Sequence, residues 1–323
     1  MGDFPGRRAG RPPGYAFDPE LAAALALMAE VDISDLAAAR RAQAAELRES
    51  TARADERGVR VREVWAPGRS GGPKVPLRIY RPAGVSGPLP AVLSLHGGGF
   101  VLGTWDVDHD GNLRFCRELP AVVVAVDYRL APEHPFPAAL DDCHAALRWL
   151  ADHAGELGVD PGRIGVWGDS AGAGLAAGLA LLVRDAGGPA LRFLHLHSPA
   201  LDDRLTTESA VRFTDTPVWN RRNARLSWER YLGAGRAEVP PYAAPARADD
   251  LTGLPPTFVA VMEFDPLRDE GLAFAEALTE SGVPTELRFY PGTFHGCAAV
   301  AHAGVARRIA ADGLAALRDG LSG

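Results

Sequence analysis

One pentapeptide has the residue types and spacing from which chemistry could start. Gly168-Asp169-Ser170-Ala171-Gly172 follows an apolar run, Arg163 to Trp167, and opens a stretch of small residues with helical spacing. In that setting G-x-S-x-G describes a tight strand-to-helix turn, whose glycines let neighbouring backbone pass close by while the serine hydroxyl stands clear at the helix N-terminus. The same residues also fit a turn whose serine merely caps the helix. A hydroxyl so placed can attack a carbonyl if a base takes its proton and a carboxylate orients that base.

A second glycine cluster, His96-Gly97-Gly98-Gly99-Phe100, follows the apolar run Ala91 to Leu95. Consecutive glycines leave backbone N–H groups unhindered. Acyl transfer needs donors aimed at a developing oxyanion, and one such donor is worth about a hundredfold or more in rate. Gly97 and Gly98, with the N–H of Ala171, would supply three. A phosphate cradle would need the spacing G-x-G-x-x-G or the lysine of a P-loop, and neither is present. His96 is expected to brace this loop, not to act as a base.

Nine histidines compete for the base. His295 lies in the turn-rich Pro291-Gly292-Thr293-Phe294-His295-Gly296, directly after the last expected strand, where an imidazole could reach over the sheet end. His302 is expected in the following helix, facing solvent. His195 and His197 alternate on one strand and share a face, a spacing that metals use, but no third ligand is near, so a packed, hydrogen-bonded pair is expected and no metal. His109, His134, His144 and His153 show no partner pattern. For the carboxylate, the strand Thr257 to Met262 runs into Glu263-Phe264-Asp265-Pro266-Leu267-Arg268-Asp269-Glu270. Asp265 sits just past the strand, held by a proline, with Glu263 its rival. Asp269 and Glu270 begin a helix, where acids partner the dipole. One helix plus one strand separates Asp265 from His295, which returns the chain to the same sheet edge. The order Ser170, Asp265, His295 is that of nucleophile, acid and base on a sheet of this kind.

The elements that must position these residues are legible in the periodicity. Val59 to Trp65 and Val75 to Tyr80 alternate, whereas Ala91 to Leu95 and Val122 to Val126 are almost wholly apolar, as strands buried on both faces are. Further strands fall at Arg163 to Trp167, Leu191 to Leu196, Thr257 to Met262 and Glu286 to Tyr290, eight in all. Helical segments alternate with them at Pro137 to His153, Ser170 to Arg184, Asp269 to Ser281 and Ala298 to Leu317. This predicts an α/β fold with a mostly parallel sheet between helices. Two helices precede the first strand, from Asp18 and from a cap at Ser34 to about Arg57, after a loose Gly/Pro/Arg-rich arm over Met1 to Tyr15. The interval Asp202 to Pro255, with Trp219, Trp228 and Tyr231, is too long for a simple connection and predicts a lid over the site. The expected division is thus an arm and cap helices over 1–57, core over 58–201, a cap insertion over 202–255, and core again over 256–323.

Composition narrows the class. At 323 residues, 47% hydrophobic and 23% charged, the chain has ordinary globular proportions. Its net charge of −7 argues against nucleic acid. Leu21 to Ala29, the longest apolar stretch near the start, is too short to span a membrane and lacks a signal-type cleavage site. The three cysteines, Cys116, Cys143 and Cys297, are an odd and scattered set, which fits a reducing compartment and a cytoplasmic location.

Together with the HGGGF and GDSAG stretches, Asp127-Tyr128-Arg129-Leu130-Ala131-Pro132-Glu133-His134-Pro135-Phe136-Pro137-Ala138, Leu254-Pro255-Pro256 and Asp265-Pro266-Leu267-Arg268-Asp269-Glu270-Gly271 resemble the hormone-sensitive-lipase group of bacterial esterases, in the α/β-hydrolase superfamily. The resemblance runs from about Val59 to the end. It implies an eight-stranded core with a helical cap, and carboxylester hydrolysis of short to medium acyl chains through an acyl-enzyme, without cofactor. Two departures stand out: Ala173-Gly174 follow GDSAG where the group often has Gly-Asn, and Cys297 follows His295-Gly296. The first bears on the packing of the nucleophile helix, and the second leaves a thiol near the site, expected as a buried small residue and not as a second nucleophile beside Ser170. The expected partner is a small ester, with no nucleic acid and no membrane, and with a homodimer left open. A non-catalytic binding member of the fold, or a triad enzyme cleaving amides, thioesters or lactones, are the alternatives.

Overall fold

Runs of β-branched residues two apart on each face build the centre of the molecule. The computed structural model describes residues 14–28, 31–234 and 238–322, so most of the expected N-terminal arm lies outside the described residues. In chain order the elements are α1 (Pro19–Ala24), α2 (Leu36–Arg53), β1 (Val59–Ala66), β2 (Val75–Pro82), β3 (Leu89–Leu95), α3 (His109–Glu118), β4 (Val122–Val126), α4 (Ala138–Asp152), α5 (Ala154–Leu157), β5 (Val159–Asp169), α6 (Ala171–Ala186), β6 (Phe193–His197), α7 (Glu208–Arg212), α8 (Arg221–Leu232), β7 (Thr257–Phe264), α9 (Arg268–Glu280), β8 (Thr285–Phe294) and α10 (Gly304–Leu321).

The strands form one sheet in the order β1-β2-β4-β3-β5-β6-β7-β8. β1 and β4 both pair antiparallel with β2, and every other pairing is parallel. Alternate side chains enter two cores. Leu93, Val124, Val166 and Val259 pack with Leu147 of α4 and Leu179 of α6, while Val92, Val123 and Phe258 pack with Leu113 of α3 and Leu317 of α10. Burial on both faces is why β3 and β4 read as continuous apolar runs.

Several expectations shift on inspection. α3 was absent from the predicted helices. Two of its four buried residues, His109 and Asn112, are polar, which hides the stripe that Leu113 and Cys116 would otherwise reveal. α2 is capped by Asp35, not Ser34: the Asp35 carboxylate accepts the Ala38 N–H at 2.9 Å, while the Ser34 N–H is taken by Asp32. A carboxylate also gains from the helix dipole there. β8 continues through Pro291 and Gly292, expected to be loop, to Phe294. Its register with β7 shifts between Met262 and Phe264, and an edge strand tolerates both residues. The last helix starts at Gly304, so His302 falls in the turn before it, exposed as expected.

The His195 and His197 rings share a face with centroids 6.5 Å apart, too far for the expected hydrogen bond between them. Both His195 ring nitrogens are buried without a partner among the described residues. Packed on Phe258 at 4.7 Å, the ring is pushed by burial down to about 3, so it stays neutral. Among the described residues no group of three or more His, Cys, Asp or Glu side chains is arranged to hold a metal, and no helix is long and apolar enough to cross a membrane.

Candidate active site

The loop between β5 and α6 holds Ser170 at φ 54°, ψ −116°, a conformation that costs a non-glycine residue about 1–3 kcal/mol. Neighbouring backbone holds it there. The Ser170 N–H donates to the His197 carbonyl at 2.8 Å, and the Ser170 carbonyl accepts the N–H groups of Ala173, Gly174 and Ala200, each at 3.1 Å. A β-carbon on Gly168 would run into the Gly172 carbonyl, and one on Gly172 into the Leu95 carbonyl. Both outer glycines of the pentapeptide are therefore required by close backbone approach.

His295, the first residue past β8, places Nε2 3.0 Å from Ser170 Oγ and Nδ1 2.7 Å from Asp265 Oδ2. The Leu267 N–H donates to the other Asp265 oxygen at 2.9 Å, which fixes that carboxylate. All three side chains are at least nine-tenths buried. Burial alone would push the imidazole down. The charge of Asp265 and its hydrogen bond, with Asp169 behind them, outweigh burial and hold His295 above its usual value. With Nδ1–H donating to the carboxylate, Nε2 is left to accept the serine proton. Glu263, the rival acid, is engaged elsewhere: its Oε2 accepts the Gly292 N–H at 2.6 Å.

The His96–Phe100 loop runs beside the serine. His96 Nδ1 lies 2.7 Å from the Gly97 carbonyl, and its ring stacks on Tyr128 at 4.1 Å, so it braces the loop as expected. The Tyr128 hydroxyl donates to the His96 carbonyl at 2.7 Å. Gly98 adopts φ 126°, and a β-carbon on Gly97 would sit 2.6 Å from Asp169 Oδ2. Among the described residues, the N–H groups of Gly97, Gly98 and Ala171 donate to no backbone carbonyl. Arg40 of α2 holds the far end of this loop, donating to the Val101 carbonyl at 2.9 Å while pairing with Glu133 at 2.7 Å.

A family model described as alpha/beta hydrolase fold matches residues 92–299. The chain belongs to the α/β-hydrolase family. Within it, this hydrolase is similar to the hormone-sensitive-lipase-like bacterial esterases. It is 45% identical over 229 residues to Carboxylesterase NlhH of Mycobacterium tuberculosis, covering 69% of this chain and 70% of that one. It is 42% identical over 264 residues to Esterase LipI of the same organism, covering 78% and 81%. Among solved structures, Bacterial Heroin Esterase superposes with a TM-score of 0.94 at 49% identity, covering 95% of this chain and 99% of that one.

Two features of this α/β-hydrolase were not legible beforehand. Trp219 faces the site, its ring 6.0 Å from His295, but Trp228 and Tyr231, expected beside it in the pocket, pack under the glycine loop instead. Tyr231 stacks on Phe100 at 3.9 Å, and Trp228 lies 5.2 Å from the same ring. Asp169 adds a second negative charge near His295, and the only hint of it was its place inside the pentapeptide. Cys297 is the buried small residue expected: its thiol is pushed by burial up to about 12.

Proposed function

We propose that this chain is a serine carboxylester hydrolase acting on short to medium acyl esters through an acyl-enzyme. The observation that carries this reading is the continuous line from Ser170 Oγ through His295 to Asp265, set beside a glycine loop whose Gly97 and Gly98 amides donate to no backbone carbonyl among the described residues. In it, Ser170 Oγ attacks the ester carbonyl as His295 Nε2 takes its proton, and Asp265 holds the imidazole tautomer and stabilises its positive charge. The N–H groups of Gly97, Gly98 and Ala171 receive the oxyanion. His295 then returns the proton to the departing alcohol, and water repeats the cycle on the acyl-enzyme. No cofactor enters. The names of the relatives support an ester as the substrate.

The reading includes a cap formed by the helices within 1–57 and the insertion 202–255, over a core of 58–201 and 256–323. It also includes a cytoplasmic location, supported by three free, buried cysteines. A homodimer belongs to it too. The edge strand β8 exposes Leu287 and Phe289, and its paired Glu286 and Arg288 would meet their opposites in an antiparallel second copy. Sedimentation of the wild type against Leu287→Lys checks this, since an unchanged monomer in both removes the dimer.

The decisive experiment follows hydrolysis of a chromogenic butyrate ester together with covalent labelling by an organophosphonate. The wild type is expected to turn over and to be labelled, and Ser170→Ala to do neither. Undiminished turnover in Ser170→Ala would sink the assignment. Labelling without butyrate hydrolysis would move the substrate class to amides, thioesters or lactones.

A further inference from the structure

The segment Asp265–Gly271 supplies one carboxylate to the relay, yet a second acid in it, Glu270, is only 1% exposed. One of its oxygens accepts the Leu201 N–H at 2.7 Å and the Asp202 N–H at 3.3 Å, while the other is buried with no partner among the described residues. Burial pushes this carboxyl well above the ordinary range, against the pull of those two amides.

Leu201 and Asp202 end a strap, residues 198–202, that leaves β6 at Ser198, itself at φ 44°. The strap touches the backbone of Ser170 on one side and the helix that follows Asp265 on the other. The Ala200 N–H donates to the carbonyl of Ser170, one residue before Leu201 reaches Glu270. It also lies between two glycines. A β-carbon on Gly174 of α6 would run into the Ala200 carbonyl, and one on Gly271 of α9 would sit 3.6 Å from Pro199 and 2.7 Å from Val261. The helix that starts at the nucleophile and the helix that starts just after Asp265 therefore both pack on this strap, which presses closely on Gly174 of the first and lies in ordinary contact with Gly271 of the second. Gly174, a departure from the expected Gly-Asn continuation, thereby has a packing reason.

We propose that Glu270 is a positioning residue: by holding the Leu201 and Asp202 amides it locks the strap that sets the spacing between Ser170 and the His295–Asp265 pair. The proposal rests on reading those three residues as the relay. Glu270→Gln keeps an oxygen acceptor on the same stem, and Glu270→Met keeps the volume without it. Glu270→Gln is expected to hold kcat within about threefold of wild type, whereas Glu270→Met loses kcat by ~10- to 100-fold at nearly unchanged KM, as a displacement of the nucleophile by a fraction of an ångström to an ångström would produce. Phosphonate labelling of Glu270→Met should slow in parallel. A role confined to stability would lower Tm without this split and without rescue by Gln. Wild-type kcat in folded Glu270→Met, or an equal loss in Glu270→Gln, overturns the proposal. If Glu270→Met does not fold, Glu270→Asp, one methylene short, is expected to lose kcat at constant KM, and wild-type kcat there overturns it too. An unlabelled wild type would sink the relay and this proposal together, while a labelled wild type with an unaffected Glu270→Met sinks only the positioning role.

Discussion

His295 Nδ1 lies 2.7 Å from Asp265 Oδ2, and the nearby Glu263 carboxylate is held instead by the Gly292 N–H. The two acids therefore separate by experiment. Asp265→Asn is expected to lower kcat by about 10⁴-fold, because an amide at that place favours the wrong imidazole tautomer. Glu263→Gln keeps an acceptor for Gly292 and should cost less than about tenfold, the loss following from small strand adjustments. Steady-state kinetics of both variants on the same ester decide the roles, and a larger loss in Glu263→Gln would transfer the acid.

The same pair sets the pH dependence. As the proposed base, His295 must be neutral at Nε2 to take the serine proton, and Asp265 holds it above its usual value. Activity should therefore fall as pH drops through a midpoint higher than the roughly 6.5 of a free imidazole. In Asp265→Asn the raising charge is gone and burial dominates, so the residual activity should keep its acid limb at lower pH. A profile of kcat/KM against pH for the two proteins checks the direction, and an unmoved limb would assign the titration to another group.

Gly98 supplies one of the proposed oxyanion donors at φ 126°, where a β-carbon would run into the Leu102 carbonyl. Gly98→Ala should displace the loop and lower kcat by about 10²-fold or more, the value of one lost donor, with a smaller change in KM. Unchanged kcat in a folded Gly98→Ala protein would remove this amide from the chemistry.

Phe100 ties the glycine loop to α8 through its stack on Tyr231 and is buried. Phe100→Ala should destabilise the fold by about 3–5 kcal/mol, the usual cost of emptying a buried aromatic site. Urea unfolding at constant m-value measures it. A loss below about 1 kcal/mol would mean that the site collapses freely, against the packing seen.

What could be read in advance was what depends on neighbours in the chain. The buried strands announce themselves as apolar runs, and the two glycine motifs follow such runs, so strand, turn and helix were legible around Ser170 and Gly97. Periodicity failed where buried positions are polar, as at His109 and Asn112 of α3, and where turn-forming residues lie in an edge strand, as at Pro291 and Gly292 of β8. It also overstated hydrogen bonding at His195, since alternation places side chains on one face but does not supply partners.

The amino-acid order by itself determined the fold class, the eight strands, and which serine, histidine and acids were candidates, because those follow from local backbone preference and from hydrophobic pattern. Contacts between distant residues decided the rest. Ser170 meets His295 across 125 positions and Leu201 meets Glu270 across 69, and only the packed sheet, with its close glycine contacts, sets such distances to within a hydrogen bond. Which acid faces the imidazole, which aromatics reach the site and which sit beneath its loop depend on that packing, since residues close in sequence are sorted between partners only when the layers close.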